Sequence, residues 1–379
     1  MNNNLLVKTN CFIGNNITKN LPEILKKYDL NKPIFLIDEG FEKSFIWKRY
    51  EQYFKSKIKF KKFIIPTGLE PTYNSLRINL KKIYKYKPKT IVCFGGGSCM
   101  DTSKAISVLI NNKKDPIFYR GFDKVLRPGI PVVCIPTTAG TGSESSYNAS
   151  FVDNNENRKM GINGKNMFAY LSILDGVNTL SCPRFSAIGA AVDAFVHSLE
   201  GYTCKKSNDL TDVLAEKSIE LFSNSVLDLC EKKPNLDKRL NLLKAAHLGG
   251  IIQMNSGSGI ASAVSYPLSV YYKVPHGIGG GMFVLDVVKF NIQNGYLKYK
   301  NLSKVLNLKK HDSISFFTHM KNIFDRLEVP KKLSFFKINL EEKNKIFDIM
   351  LTQQSAFDQN PIKLNIKGNK FKTFLNKYF

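Results

Sequence analysis

The chain predicts an α/β domain built on a parallel sheet over residues 1–182, followed by an all-α domain over residues 183–379. Three observations carry this. In the first half, short and nearly uninterrupted apolar runs alternate with segments of helical period, the pattern of a parallel sheet covered on both faces. One such run, Thr90-Ile91-Val92-Cys93-Phe94, passes directly into Gly95-Gly96-Gly97-Ser98 and then into a helical segment. From Pro183 onward the apolar spacing is almost wholly helical.

Taken in order, a short N-terminal strand pair precedes a helix from Asn16 to Lys27 and a buried strand, Pro33 to Ile37, that ends at Asp38. Phe41 to Phe54 reads as a helix, Ile58 to Ile65 as a strand, and Pro71 to Tyr86 as a helix with proline suited to its first turn. After the strand at 90–94 and its glycine turn comes a helix from about Met100 to Ile110. Pro131 to Pro136 is a further strand, delivering Thr137-Thr138-Ala139-Gly140-Thr141-Gly142-Ser143-Glu144 to the same sheet edge. Arg158 to Asn163 and Leu171 to Asp175 read as strands closing this domain. Helices are then expected at 185–202, 208–228, 236–253 and 260–270, with more to the C-terminus. The break near Cys182-Pro183 predicts a close-packed cleft between the halves.

Ligands of open parallel sheets bind at the carboxyl ends of the strands. A triple glycine there lets a backbone approach a pyrophosphate without Cβ interference, and the next helix offers unpaired N–H groups and a positive dipole end. A simple tight turn has the same sequence. Asp38 sharpens the nucleotide reading, because a carboxylate at that strand end accepts from a ribose 2′-OH and repels a 2′-phosphate, favouring NAD over NADP. The hydroxyl-rich loop 137–144 suits a polar ligand, or alternatively caps a helix. Lys159 either touches that ligand or is solvated.

Composition excludes several classes. The chain has 379 residues and a formal net charge of +25, which invites a nucleic-acid reading. However, the basic residues are spread along the chain, Lys outnumbers Arg about six to one, and no basic block interleaves with aromatics. Enrichment in Lys, Asn, Ile and Phe reads as compositional drift toward AT-rich codons. A functional charge would favour an anionic small substrate over a polynucleotide. Seven scattered cysteines without a C-x-x-C pair fit reduced thiols in a cytoplasmic protein. Neither a signal peptide nor a run of about 18 apolar residues is present, so no membrane association is expected.

In the helical half, Asp193 and His197 stand four residues apart on a helix, which stacks them on one face. By itself D-x-x-x-H is commonly an Asp orienting a His. A second tract, Val274-Pro275-His276-Gly277, supplies another imidazole on a turn, and two imidazoles with one carboxylate make a divalent-metal site with open positions.

Taken together, G-G-G-S-x-x-D (Gly95 to Asp101), P-T-T-A-G-T-G-S-E (Pro136 to Glu144), D-A-x-x-H-x-x-E-G-Y (Asp193 to Tyr202) and P-H-G (Pro275 to Gly277) resemble the iron-containing, or group III metal-dependent, alcohol dehydrogenases. The resemblance implies the dehydroquinate synthase-like architecture, NAD, a divalent iron or zinc ion, and hydride transfer between a small alcohol or aldehyde and nicotinamide in the cleft of a homodimeric enzyme. It implies Asp193, His197 and His276 as metal ligands. Asp38, Gly96, Gly97, Ser98, Asp101, Thr137, Thr138 and Lys159 would lie at the cofactor, and His276 and Tyr266 would be catalytic. Phe118 to Asp123, Arg158 to Gly161 and Ala263 to Tyr266 resemble the branch that oxidises the terminal hydroxyl of the sugar acid 3-deoxy-manno-octulosonate.

One departure bears on the chemistry. The fourth ligand position of the family, fourteen residues before His276, is Ser262, and a hydroxyl is a poor ligand. Three protein ligands still suffice for a catalytic zinc. The alternative is a degenerate member that binds dinucleotide and has lost metal catalysis. A dehydroquinate-synthase-like cyclase would need a phosphate-binding set of Lys, Arg and His that the His- and Arg-poor helical half does not offer.

Overall fold

The computed structural model describes residues 5–68, 70–156, 158–365 and 367–379. It divides into two compact units. One comprises Val7–Pro183 with Pro234–Gly250; the other comprises Arg184–Lys233 and Ile251–Phe379 with Leu5 and Leu6. The expected break at 182/183 is present, with two exceptions: Leu5 and Leu6 join the helical unit, and residues 234–250 join the α/β one. Polar contacts hold them there. Asn15 Nδ2 donates to Asp237 at 2.8 Å, the Ser145 hydroxyl donates to the His247 carbonyl at 2.8 Å, and His247 Nδ1 lies 3.2 Å from the buried Glu144 carboxylate.

Nine strands are described in the α/β unit: β1 (Asn10–Ile13), β2 (Pro33–Asp38), β3 (Lys61–Ile65), β4 (Thr90–Gly95), β5 (Gly121–Phe122), β6 (Val132–Pro136), β7 (Asn148–Asp153), β8 (Arg158–Asn163) and β9 (Leu171–Leu174). Six form one sheet in the order β1-β9-β6-β4-β2-β3, with every pairing parallel. The expected N-terminal strand pair is instead the single strand β1 set beside β9. β8 does not extend the main sheet; with β5 and β7 it forms a second, three-stranded one. β7 escapes a reading by apolar runs because its burial alternates residue by residue, as in a sheet solvated on one face.

The intervening helices are α1 (Leu21–Lys27), α2 (Glu39–Glu42), α3 (Phe45–Lys55), α4 (Tyr73–Tyr84) and α5 (Gly97–Asn111). Alternation along each central strand sends side chains to opposite faces. Ile34, Leu36, Ile91, Cys93, Val132 and Cys134 pack with Tyr73, Leu76, Met100 and Ile106 on one side. Phe35, Ile37, Val92, Phe94, Val133 and Ile135 pack with Leu21, Trp47 and Phe54 on the other. These central strands are apolar throughout because both faces are buried.

In the other unit, α6 (Arg184–Thr203) and α7 (Asp209–Ser225) are followed by α8 (Leu236–Ser256), whose first fifteen residues belong to the α/β unit. α9 (Ile260–Tyr272) and α10 (His276–Gln293) follow, and shorter helices run to the C-terminus. Among the described residues, no helix is long and apolar enough to cross a membrane.

Candidate metal site and nucleotide-binding turn

α6 is buried along most of its length, so Asp193 and His197 lie inside the helical unit, each 4 % exposed. Their i,i+4 spacing brings His197 Nε2 to 3.6 Å from Asp193 Oδ1. His276 opens α10, with Pro275 as its N-cap. The turn arrives here because Gly277 allows it: a Cβ at that position would lie 2.0 Å from the Gly189 carbonyl oxygen and 2.7 Å from Asp193 Cβ. Only a residue without a side chain lets α10 approach α6 this closely.

One donor atom each from Asp193, His197 and His276 then falls within 4.8 Å of the others. A single ion at about 2.1 Å from each donor needs them within about 4 Å of one another, so a contraction under about 1 Å closes the site. The donor set suits iron(II) or zinc. His197 Nδ1 is buried with no hydrogen-bond partner among the described residues, which leaves hydrogen-bonding capacity at this ring.

Ser262 is buried one turn into α9 and is committed elsewhere. Its hydroxyl donates to Glu200 at 2.5 Å, and the same carboxylate accepts from Gly259 N–H at 2.8 Å and Ser262 N–H at 3.1 Å. Glu200, one turn beyond His197 on α6, thus satisfies the amides at the start of α9. Burial pushes the Glu200 carboxyl above its usual range, while the Ser262 hydroxyl and the two amides pull it back. Tyr266, the residue expected near a nicotinamide, is half-buried on α9.

In the α/β unit, the sheet order reverses between β2 and β4: from β2 the chain steps outward to β3, and from β4 the other way to β6 and β9. Such a switch point is where open parallel sheets take ligands. Asp38 closes β2, and Gly95 closes β4 beside it, 3.2 Å separating Asp38 Cβ from where a Gly95 Cβ would stand. The Asp38 carboxylate also caps α2, accepting from Phe41 N–H at 3.1 Å. Gly96 is the N-cap of α5 and has no side chain with which to cap its first amides.

The glycines serve protein packing as well as ligand approach. A Cβ at Gly95, Gly96 or Gly97 would fall within 2.5–2.8 Å of Cys99, Thr138 or Thr141 respectively. Thr137 N–H donates to Gly95 O at 3.1 Å, so the loop after β6 is laid directly on the turn. Asp38, Gly96, Gly97, Ser98, Thr137 and Thr138 accordingly gather at one end of the sheet. Asp101 and Lys159 are engaged with protein groups instead. Asp101 accepts from the Ser143 hydroxyl and from Ser150 N–H, and Lys159 Nζ lies 2.9 Å from Glu70.

Composition gave no sign of Lys104, which is 1 % exposed and donates to the carbonyls of Ser143, Ser146 and Asn148, 3.6 Å from Asp101. With Asp101 it fixes the segment that continues the hydroxyl-rich loop. Its spacing of three from Asp101 on a helix was the available signal.

Residues 8–176 match the family model "Iron-containing alcohol dehydrogenase", and residues 187–368 match "Fe-containing alcohol dehydrogenase family, C-terminal". Alcohol dehydrogenase 4 of Schizosaccharomyces pombe is 27% identical over 283 residues, 74% of this chain and 66% of the yeast protein, just under two thirds of its length. Sulfoacetaldehyde reductase of Bilophila wadsworthia is 29% identical over 276 residues, 73% of this chain and 71% of that one. The crystal structure of sulfoacetaldehyde reductase from Bifidobacterium kashiwanohense in complex with NAD+ superposes with a TM-score of 0.90 over 100% of this chain and 99% of the other, at 19% identity. The sheet with its switch-point glycine turn, the helical unit with its convergent triad, and the matches to both halves place this chain in the iron-containing alcohol dehydrogenase family.

Proposed function

We propose that the chain catalyses reversible hydride transfer between the CH–OH carbon of a small alcohol and the nicotinamide of NAD, with a divalent iron or zinc ion held by Asp193, His197 and His276. The observation that carries this is the convergence of those three side chains, Asp193 and His197 buried and His276 half-buried. When bound, the ion supplies Lewis acidity at the reacting oxygen and the nicotinamide accepts or gives the hydride. The chain's own residues bind and orient. Asp38 suits a ribose diol, the α5 amides and Gly96-Gly97 suit a pyrophosphate, and Thr137 and Thr138 line the same edge. Burial of Asp193 and His197 shields two of the three donors from bulk water, which strengthens the charge interactions there. Tyr266 is assigned the proton exchange with the substrate oxygen.

For the substrate we favour an anionic one, a sugar acid such as 3-deoxy-manno-octulosonate. Support comes from the resemblance over residues 118–123, 158–161 and 263–266, the net charge of +25, and a relative named for reducing another anionic aldehyde. A cytoplasmic homodimer goes with the same reading. The competing reading, a nucleotide binder without turnover, draws on one observation: Ser262 spends its hydroxyl on Glu200, leaving three protein ligands.

The test is elemental analysis after loading with iron(II) or zinc, paired with an NAD-coupled screen of short alcohols, aldehydes and sugar acids. About one ion per chain, lost in His276→Ala together with turnover, is the expected result. A chain that binds NAD, retains no metal and turns over none of these substrates would establish the competing reading.

A further inference from the structure

Resting on the proposed metal role of the triad, we infer that Ser265 is a positioning residue that sets the tautomer of His276, so that Nε2 is the nitrogen presented to the ion. The Ser265 side chain is fully buried on α9, so water does not compete for its hydroxyl. That hydroxyl meets His276 twice: the carbonyl oxygen at 2.7 Å and ring Nδ1 at 3.1 Å. A hydroxyl has one hydrogen, and a carbonyl oxygen only accepts. The hydrogen is therefore spent on the carbonyl, Ser265 Oγ must accept from the ring, and Nδ1 carries the imidazole proton. Neutral imidazole holds one proton, so Nε2 keeps its lone pair.

The arrangement depends on close packing of α9 against α10. A Cβ at Gly279 would lie 2.7 Å from Ser265 Oγ and 3.2 Å from Ser265 Cβ, so any larger residue there would displace the hydroxyl from the ring. The two imidazoles of the site are held differently. His276 is preset by a hydroxyl on Nδ1, whereas the buried Nδ1 of His197 has no hydrogen-bond partner among the described residues and its Nε2 faces Asp193 at 3.6 Å. Ligating histidines generally have the other ring nitrogen fixed by a hydrogen bond, and loss of that partner typically weakens metal affinity about 10–100-fold.

Nitrogen NMR of metal-free protein carrying 15N-histidine reads the tautomer directly, at about pH 8 where an ordinary imidazole is neutral. The chain has five histidines, and His276→Gln identifies the signal by its disappearance. The expected result is protonated Nδ1 and bare Nε2 at His276, giving way to a mixture in Ser265→Ala. Zinc affinity of Ser265→Ala, measured by competition with a chromogenic chelator, should fall by about tenfold with little change in Tm. Protonated Nε2 in the unsubstituted protein, or an unchanged tautomer in Ser265→Ala, overturns the inference. Because the tautomer is read without metal, it stands or falls apart from the proposed function, which fails separately if the unsubstituted chain binds no zinc.

Discussion

Glu200 illustrates how one side chain can hold a neighbouring element in place. Its carboxylate joins α6 to the start of α9 through two amides and a hydroxyl, and burial raises its pKa. A folded-state pKa above the ordinary value of about 4.3 means the folded chain holds that proton more tightly than the unfolded chain does. The resulting stabilisation is full below the ordinary value and is lost as pH rises through the raised one. Glu200→Gln, which is always neutral, should therefore lose this slope. In chelator-treated protein, its Tm relative to the unsubstituted chain should climb as pH goes from about 4 to about 8. Parallel Tm profiles would refute the assignment. Removing the acceptor entirely, in Glu200→Ala, strands buried donors at ~1–3 kcal/mol each. At the same scale, all seven cysteines are free thiols, and burial pushes those of Cys93 and Cys134 well above their ordinary value. They are core side chains, as their position in apolar strands implies.

Between elements, the decisive contacts are helix to helix at small residues. Gly277 sits against the Gly189 carbonyl and Asp193 Cβ, neither of which can move aside as a flexible side-chain tip would. Gly277→Ala should force α10 outward and cost ~1–3 kcal/mol as an overpacked site, lowering Tm by a few degrees. It should also separate His276 from Asp193 and abolish retention of metal, while NAD binding by the α/β unit persists. Normal metal content in this variant would show that the close approach is not what assembles the triad. The expected helix boundaries agree with the observed ones to within a few residues for α5 and α6, whereas the single helix expected at Phe41–Phe54 is divided into α2 and α3 at Ser44, whose hydroxyl caps α3. β7 and the separate sheet it forms were not legible, since a short half-solvated strand leaves only a weak period in the sequence.

For the whole molecule, the charge of +25 sets a field without specifying a partner. If the substrate is anionic, its KM should rise several-fold as salt goes from about 0.05 to about 0.5 M, because screening shortens the Debye length, while the KM of a neutral alcohol stays level. Equal salt dependence for both would assign the charge to composition alone. The sequence by itself determined the α/β half, the helical half, the glycine turn after β4 and the spacing of Asp193 and His197. All of these are local: continuous apolar runs, a period of 3.6 residues, and side chains one turn apart. The grouping of His276 with Asp193 and His197 was also expected, and the tertiary structure supplied its distance; what needed the tertiary structure outright was the pairing of Ser265 with His276, Ser262 with Glu200, and Lys104 with the loop at 143–148. Those depend on how closely two backbones approach and where a single hydroxyl hydrogen is spent, and neither quantity is written in the spacing of residues along one chain.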